Sequence, residues 1–386
     1  MEQHPISAWY DGKGPILKFA LKFGSLMLLY YALSVSPFCE RAFWPANLSA
    51  NAWIANRLLH GLRQETTVAG DTIRADNYSF EIKRGCDATE PVWLLAAAVI
   101  AFPARLRQKL AGILAGTVLL LALNQLRVIA LFFVGRDHPG LYHTLHLTLF
   151  PAVFIILAMI LWVAWVEWSV GCHRMKTEVA DARLKTALIF AGWFVLIYGL
   201  LITPWPGAKT IYAGYFRYVA GLVLTAPGSQ MLLEFQPLDN PHHQWPPNFD
   251  TAIILANRDL LDQDGQEQRF MLTVDAWQMG WAPTACLMAF ALATPIPWRR
   301  RMWALFWGFL WVHGFILLTL GIFIWNESTR VALVTLTPFW KEIANRLEEQ
   351  ALNPVGPSFF AAALIWLLVT FRRQDLAVKP ANPLSG

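Results

Sequence analysis

The side chains with the clearest chemical potential stand at the ends of apolar runs. Cys86 lies in RGCDATEPVWLL (84–95), where polar residues give way to an apolar segment. The thiolate form of cysteine is a strong nucleophile, so Cys86 is a candidate for covalent catalysis. Two other interpretations of Cys86 stay open: a disulfide with Cys39 in an oxidising space, and an inert thiol at a membrane boundary.

The second candidate is an arginine inside an apolar run. Arg127 lies in ALNQLRVIALFF (122–133), and Asn124 stands three residues earlier on the same helical face. A charged side chain among membrane apolar residues is costly, so it indicates a functional role. Arginine cannot act as a base at neutral pH. We therefore expect Arg127 to stabilise negative charge on a reacting carbonyl oxygen, with Asn124 orienting it or sharing that role. The alternative is that Arg127 extends to lipid headgroups.

The third candidate group is a set of histidines in DHPGLYHTLHLTLF (137–150). His143 and His146 are three residues apart and share a face if this segment is helical. Beside Cys86, a histidine would protonate the leaving amine and then activate the acceptor. Cysteine, arginine and histidine together suggest nucleophilic acyl transfer. A metal site that includes His138 is the alternative interpretation of the histidines.

Composition indicates the kind of protein that carries these residues. Of 386 residues, 56% are hydrophobic and only 15% are charged, with a mean hydropathy of +0.41. Soluble domains carry about 25% charge, so a bundle that spans a membrane is the better explanation. The net charge of +5 comes from short basic loops rather than a continuous basic surface, so nucleic-acid binding is not expected. The four cysteines include no CxxC pair, so a zinc or redox motif is not expected. Neither a cleavable signal peptide nor a cofactor is expected.

Apolar runs long enough to cross roughly 30 Å of hydrocarbon, alone or with their flanks, occur about eight times. Lysine and arginine are concentrated at every other junction between these runs, which predicts that those junctions and both termini are cytoplasmic. The fold expected is an all-α polytopic membrane protein with about eight transmembrane helices. The predicted spans are 16–37, 89–104, 110–134, 145–168, 185–204, 281–297, 303–325 and 357–371.

The segments predicted to face outward are 38–88, 135–144, 205–280 and 326–356. Within them, polar and β-prone residues alternate in 66–85, in TAIILANRD (251–259) and in RFMLTVDAW (269–277), which predicts strands. FWKEIANRLEEQ (339–350) has the spacing of an amphipathic helix. The outer insertions are therefore expected to contain small amounts of strand.

The two halves of the chain resemble each other. EPVWLLAAAVIAFP (90–103) parallels APTACLMAFALATP (282–295), with two prolines twelve residues apart in each copy. A shift of 192 positions places Gln278 opposite Cys86 and Thr319 opposite Arg127, so the second copy lacks the reactive residues. We expect a catalytic four-span domain over residues 1–170 and a second half over 171–386, with substrate recognition as a hypothesis for its outer segment.

These motifs resemble the exosortase/archaeosortase family of integral membrane cysteine transpeptidases over roughly residues 15–170. The matching elements are a cysteine at the start of one span (GCDATEPVWLL), N-x-x-R near the end of the next (NQLR) and a histidine that opens the third (HLTLFPAVF). Most members have Cys-Ser-Gly where this chain has Cys86-Asp87-Ala88. The GCDATEP sequence is most similar to exosortase H, a subtype paired with sorting signals of the IPTLxxWG type.

The resemblance implies that Cys86 is the nucleophile, Arg127 the second invariant position and His146 the third; His146 fits the family spacing better than His143. It implies substrates that are exported proteins with a C-terminal recognition motif, a transmembrane helix and a basic tail. It also implies a Gram-negative inner membrane, with membrane lipid around the protein and the site facing the periplasm. Three alternatives stay open: a metal-dependent hydrolase, a lipid acyltransferase and a transport or assembly protein.

Overall fold

The computed structural model describes residues 5–174, 177–203, 205–225, 231–238, 248–261, 267–331, 333, 337, 339–343, 345 and 356–371. Within these residues the chain is mostly helical and contains two small antiparallel sheets. The first half of the chain forms α1 (Pro5–Ser34), α2 (Trp44–Gly61), β1 (Thr67–Ala69), β2 (Thr72–Ala75), β3 (Tyr78–Glu81), α3 (Thr89–Ala101), α4 (Leu106–Asp137), α5 (Pro139–Thr144) and α6 (Phe150–Arg174).

The second half repeats this order of elements. A long helix and a shorter one precede a three-stranded meander, and a short apolar helix and a long helix follow it, as in α1 to α4. The elements are α7 (Thr177–Ile202), α8 (Ala208–Leu224), β4 (Met231–Pro237), β5 (Thr251–Leu261), β6 (Glu267–Val274), α9 (Ala282–Ala293), α10 (Trp298–Arg330) and α11 (Gly356–Thr370).

The shift of 192 positions that aligns the two halves in sequence also relates their helix boundaries and packing. It places the last residue of α3 opposite the last residue of α9, and the first residue of α4 opposite the first residue of α10. In the first half the side chain of Leu95 on α3 packs into the space that the missing side chain of Gly116 leaves on α4. At the equivalent positions of the second half, Leu287 on α9 packs against Gly308 on α10 in the same way. Small residues let the two backbones approach closely, which is a common basis of helix association in membranes.

A proline accounts for an irregular turn that recurs in the described part of the chain. Proline lacks the N–H that would bond the carbonyl one turn earlier, and its ring collides with that carbonyl. Widening the helix by one residue relieves the collision, and the result is a π-turn. Three such turns, each ending two residues before a proline, are Cys39–Phe43 before Pro45, Leu145–Leu149 before Pro151, and Trp277–Trp281 before Pro283.

The predicted strands are confirmed, and other elements went unrecognised in the sequence. The 66–85 segment folds into β1 to β3, and the two later strand predictions correspond to β5 and β6. Strand β4 and helices α2 and α8 were not predicted; polar residues interrupt both helices, so neither forms a long apolar run. The predicted helix at 339–350 lies largely outside the described residues.

Helices occupy the eight predicted apolar runs, but their lengths do not confirm eight spans. In the described ranges, four helices are long and apolar enough to cross a membrane, and the number rises to five if the pair Leu17–Ser34 and Cys39–Gly61, bent by 68°, counts as one span. Helix α3 has 13 residues and α9 has 12. At about 1.5 Å per residue each is about 20 Å long, shorter than the hydrocarbon core.

Packing at the repeated glycines gives the first prediction. Valine at Gly116 or Gly308 would collide with the leucine opposite, and overpacking of this kind costs about 1–3 kcal/mol. We expect Gly116→Val and Gly308→Val to lower the thermal unfolding temperature of the detergent-solubilised protein. Gly314→Val is the matched control, since a Cβ at Gly314 on the same helix as Gly308 meets nothing within 4 Å. An equal drop for Gly308→Val and Gly314→Val would contradict the interpretation.

Candidate active site

The loop between β3 and α3 holds Cys86 in a fixed, buried position. The backbone N–H of Cys86 donates to the carbonyl of Lys83 (3.0 Å), and Gly85 takes a φ of +86°, which glycine adopts without strain. Ala88, at the start of α3, has a φ of +61°, a conformation that costs a residue with a Cβ. Cys86 is only 3% exposed and packs in a small core between the first sheet, α2 and α4.

His146 reaches Cys86 from the π-turn at the start of α6. Both ring nitrogens of His146 lie 3.5 Å from the sulfur of Cys86, so either can exchange a proton with it. The ring of Tyr142 stacks on the imidazole at 5.2 Å between centroids, with 14° between the planes. This contact fixes the plane of the imidazole beside the thiol.

Arg127, which is 5% exposed, connects the loop that holds Cys86 to the π-turn that carries His146. Its Nη1 donates to the carbonyl of Gly85 (3.1 Å), and its Nη2 donates to the carbonyl of His146 at 3.5 Å. The guanidinium also lies over the rings of Phe150 and Phe154, at 5.5 and 5.4 Å from their centroids. Such cation–π contacts offset part of the cost of burying a charge.

Asn124 explains the spacing of the N-x-x-R motif. Its Nδ2 donates to the carbonyl of Cys86 (2.8 Å), while Arg127 one turn later bonds the carbonyl of Gly85. Two side chains on one helical face thus hold two consecutive backbone carbonyls at the candidate nucleophile. Asn51 on α2 supports this face, because its Oδ1 accepts from Gln125 (2.8 Å) and lies 3.5 Å from Nδ2 of Asn124.

An open pocket with a cavity volume of about 90 Å³ is lined by Cys86, Arg127 and His146. Its lining combines polar groups with apolar side chains from α3, α6 and α11. Phe360 on α11 comes from the second half of the chain. The other lining residues are Arg84, Gly85, Glu90, Pro91, Leu94, Leu147, Pro151, Phe154 and Ile155.

Comparison with known proteins finds one family model that resembles the part of the chain holding this site. Residues 9–148 match the family model described as transmembrane exosortase (Exosortase_EpsH). This part of the chain is therefore similar to transmembrane exosortases. Members are membrane cysteine-type transpeptidases that act on exported proteins with C-terminal sorting signals. No curated protein and no solved structure matches the chain.

The exosortase match contains all three predicted residues and ends two positions after His146. The predicted convergence of Cys86, Arg127 and His146 is present in the structure. Cys39 and Cys86 are both free thiols, so the structure does not contain the disulfide considered above.

The other histidines lie away from Cys86. His143 lines a separate polar pocket together with Lys209 and Asp275, and does not line the pocket of Cys86. His138 follows α4 and is exposed. Among the described residues, no group of three or more His, Cys, Asp or Glu side chains is arranged to hold a metal ion.

Two carboxylates close to Cys86, one buried and one partly buried, were not recognised as site residues in the sequence. Asp87 is fully buried, and its Oδ2 accepts from Asn47 (2.7 Å) and from Thr89 (3.0 Å). Glu90 accepts a hydrogen bond of 2.5 Å from the hydroxyl of Tyr31 on α1. Asp87 occupies the position where most members have serine, and that departure was the available signal.

The surroundings of Cys86 act on its pKa in opposite directions. Burial is the largest effect and raises the pKa of the thiol above its ordinary value, and the negative charge of Asp87 raises it further. The positive charges of Arg127 and Lys83 lower it and offset only part of the rise. The reactive thiolate therefore becomes more abundant as the pH rises through the alkaline range.

Alkylation of Cys86 by iodoacetamide tests this balance. In a variant without the other three cysteines, we expect the alkylation rate to rise with pH around a midpoint above the ordinary thiol value of about 8.5. Asp87→Asn should move the midpoint to lower pH, because a negative charge is lost. Arg127→Gln should move it to higher pH, because a positive charge is lost. If the midpoint moved in the same direction in both variants, the opposite effects assigned to Asp87 and Arg127 would be contradicted.

The backbone at Ala88 gives a separate prediction. Ala88→Gly should leave the unfolding temperature unchanged or raise it, since glycine adopts a positive φ without strain. Ala97→Gly is the matched control: both alanines are 1% exposed, but Ala97 lies inside α3, where glycine costs roughly 0.5–1 kcal/mol. Thermal unfolding in detergent compares them, and an equal loss of stability in both variants would contradict strain at Ala88.

Proposed function

We propose that this protein is a membrane cysteine peptidase and transpeptidase that removes the C-terminal sorting signal of exported proteins. The observation that carries the proposal is the distance of 3.5 Å from the sulfur of Cys86 to both nitrogens of His146. That pair lies in a pocket that Arg127 also lines. Nucleophile, proton carrier and positive charge are the groups that acyl transfer from a peptide bond requires.

In the proposed first step, His146 accepts the thiol proton of Cys86 while the sulfur attacks the scissile carbonyl carbon. The carbonyl oxygen becomes an oxyanion, and the positive charge of Arg127 stabilises it. Nη1 and Nη2 of Arg127 each use one N–H on a backbone carbonyl, so each has a second N–H that can donate to that oxygen. His146 then gives its proton to the leaving amine, the C–N bond breaks, and a thioester remains on Cys86.

In the second step the thioester carbonyl is attacked by an amine, or by water if no amine is bound. His146 takes a proton from the attacking group, and the sulfur of Cys86 leaves as the thiolate and recovers its proton. The product carries a new amide bond or a free carboxylate. In each step His146 accepts one proton and then returns it, so a single histidine can serve both steps.

The lining of the pocket suits a substrate tail that is itself a membrane helix. It combines the reactive groups with apolar side chains, which include Leu94, Phe154 and Phe360. A peptide bond just outside a transmembrane segment would meet the reactive groups, while the apolar side chains would contact the helix after it. The subtype resemblance adds a narrower proposal, that the recognised motif is of the IPTLxxWG type.

We propose a bacterial inner-membrane location with both termini cytoplasmic and the site facing the periplasm. Basic residues support this orientation. Lys109 binds the carbonyl of Ile100 (2.8 Å), and Arg301 binds that of Thr294 (3.0 Å), so both lie at the ends of α3 and α9 that are remote from the site. Basic clusters mark the cytoplasmic side of membrane proteins.

We also propose that the two halves of the chain have different roles. Residues 1–170 would carry the reacting groups, and residues 171–386 would complete the pocket and take part in recognition. Phe360 supports this role, because it lines the pocket from the second half.

A cleavage assay tests the function. The protein is co-expressed with an exported reporter that ends in an IPTLxxWG motif, a transmembrane helix and a basic tail, and the reporter is sized by immunoblotting. Cys86→Ala should abolish processing, because the nucleophile is lost. Cys39→Ala and Cys286→Ala are matched controls that also remove a free thiol, and both should process normally.

Two outcomes would contradict the proposal. Processing that persists in Cys86→Ala excludes the thiol as the nucleophile. Processing that stops when purified, active membranes receive a chelator would favour a metal-dependent hydrolase instead.

A further inference from the structure

The π-turn that carries His146 accepts hydrogen bonds from side chains outside its own helix. Pro151 has no N–H, so it cannot serve the carbonyls one turn earlier, and the widened turn changes the pairing of its neighbours. Within the turn, the carbonyl of Leu145 keeps a helical donor, the N–H of Phe150. The carbonyls of His146, Leu147 and Thr148 each accept from a side chain of another helix or turn.

Two of these three donors come from the second half of the chain. Nε2 of Gln278 donates to the carbonyl of Leu147 (3.0 Å), and the hydroxyl of Tyr198 donates to the carbonyl of Thr148 (3.1 Å). Gln278 makes a second contact, because its Oε1 accepts from the hydroxyl of Thr148 at 3.0 Å. Thr148 is 3% exposed, so water has little access to this contact.

Gln278 is itself held by the second sheet. Its backbone N–H donates to Oδ1 of Asp275 (3.0 Å), and Oδ2 of Asp275 accepts from Asn248 (2.9 Å). Asp275 directly follows β6, the last strand of the meander. A continuous set of hydrogen bonds thus runs from the second sheet through Gln278 to the residues that flank His146.

We infer that Gln278 is a positioning residue that holds the π-turn so that the imidazole of His146 faces the sulfur of Cys86. The shift that relates the two halves places Gln278 opposite Cys86, so equivalent positions of the repeat provide the nucleophile and the support of its proton carrier. The inference concerns the proposed catalytic pair. Thiol reactivity tests it without any substrate.

The experiment is a double-mutant cycle on the alkylation of Cys86. Iodoacetamide labelling at pH 7.5 is measured in the full-length protein without its other cysteines, with Gln278→Met, His146→Ala and both substitutions together. Methionine keeps the size of glutamine and removes both hydrogen bonds. We expect Gln278→Met to lower the labelling rate about three- to tenfold where His146 is present, and to change it by less than twofold in the His146→Ala background.

Two further variants separate the two contacts of Gln278. Gln278→Glu keeps an acceptor for Thr148 but has no donor for the carbonyl of Leu147, so it should lower the labelling rate nearly as much as Gln278→Met. Thr148→Val removes the other contact alone and should have a smaller effect. These variants also keep the test informative if Gln278→Met fails to fold.

Gln108→Met is the matched control. Nε2 of Gln108 likewise donates to a carbonyl of α6, that of Ser169 (2.9 Å), and its Oε1 accepts from the N–H of Arg105. This glutamine lies at the other end of α6 from His146. We expect Gln108→Met to leave the labelling of Cys86 unchanged, even if it lowers the unfolding temperature.

The possible outcomes separate the inference from the proposed function. An equal fall in labelling with and without His146 would show that Gln278 does not act through the histidine, and no fall in either background would also overturn the inference. In the reporter assay, loss of cleavage in Gln278→Met with normal cleavage in wild type would agree with it. Absence of cleavage in wild type would count against the proposed function alone, because the labelling cycle does not depend on cleavage.

Discussion

The burial of Arg127 is the constraint on which the arrangement of the site depends. A guanidinium stays charged at any physiological pH, and a buried charge is tolerated only where hydrogen bonds and compensating contacts surround it. Here the backbone carbonyls of Gly85 and His146 accept from it, and the rings of Phe150 and Phe154 lie beside it. One side chain on α4 thereby fixes the loop before α3 relative to the turn before α6. The same contacts that make the charge tolerable bring thiol and imidazole together.

The residue types and their positions at the ends of apolar runs singled out Cys86, Arg127 and the histidines of 137–150, and the choice of His146 over His143 came from the resemblance to the family spacing. The separation of His143 from His146 was not predictable, because helical spacing places both on one face. A π-turn inserts an extra residue into the helix over Leu145–Leu149 and changes which side chains share a face. Gln278 and Phe360 gave no local signal either, since each acts on a site that is distant from it in the chain.

Part of the architecture was predictable because some of its elements leave clear patterns in the sequence. Long apolar helices and alternating strands leave clear patterns, whereas polar residues interrupt α2 and α8, so neither forms a long apolar run. The internal repeat was visible in two prolines and an apolar segment, and the shift that aligns its copies recurs in helix boundaries and in a glycine–leucine contact. The same scaffold therefore carries reactive side chains in one copy and supporting side chains in the other.

The most direct measurement is the isolation of a covalent intermediate. Membranes that contain the wild-type protein and a tailed substrate would be quenched in acid and digested, and the peptide that contains Cys86 analysed by mass spectrometry. We expect a thioester that joins the sulfur of Cys86 to the new carboxyl end of the substrate. Cleaved substrate with no adduct on Cys86 in time-resolved samples, or with an adduct on another residue, would contradict catalysis by this thiol.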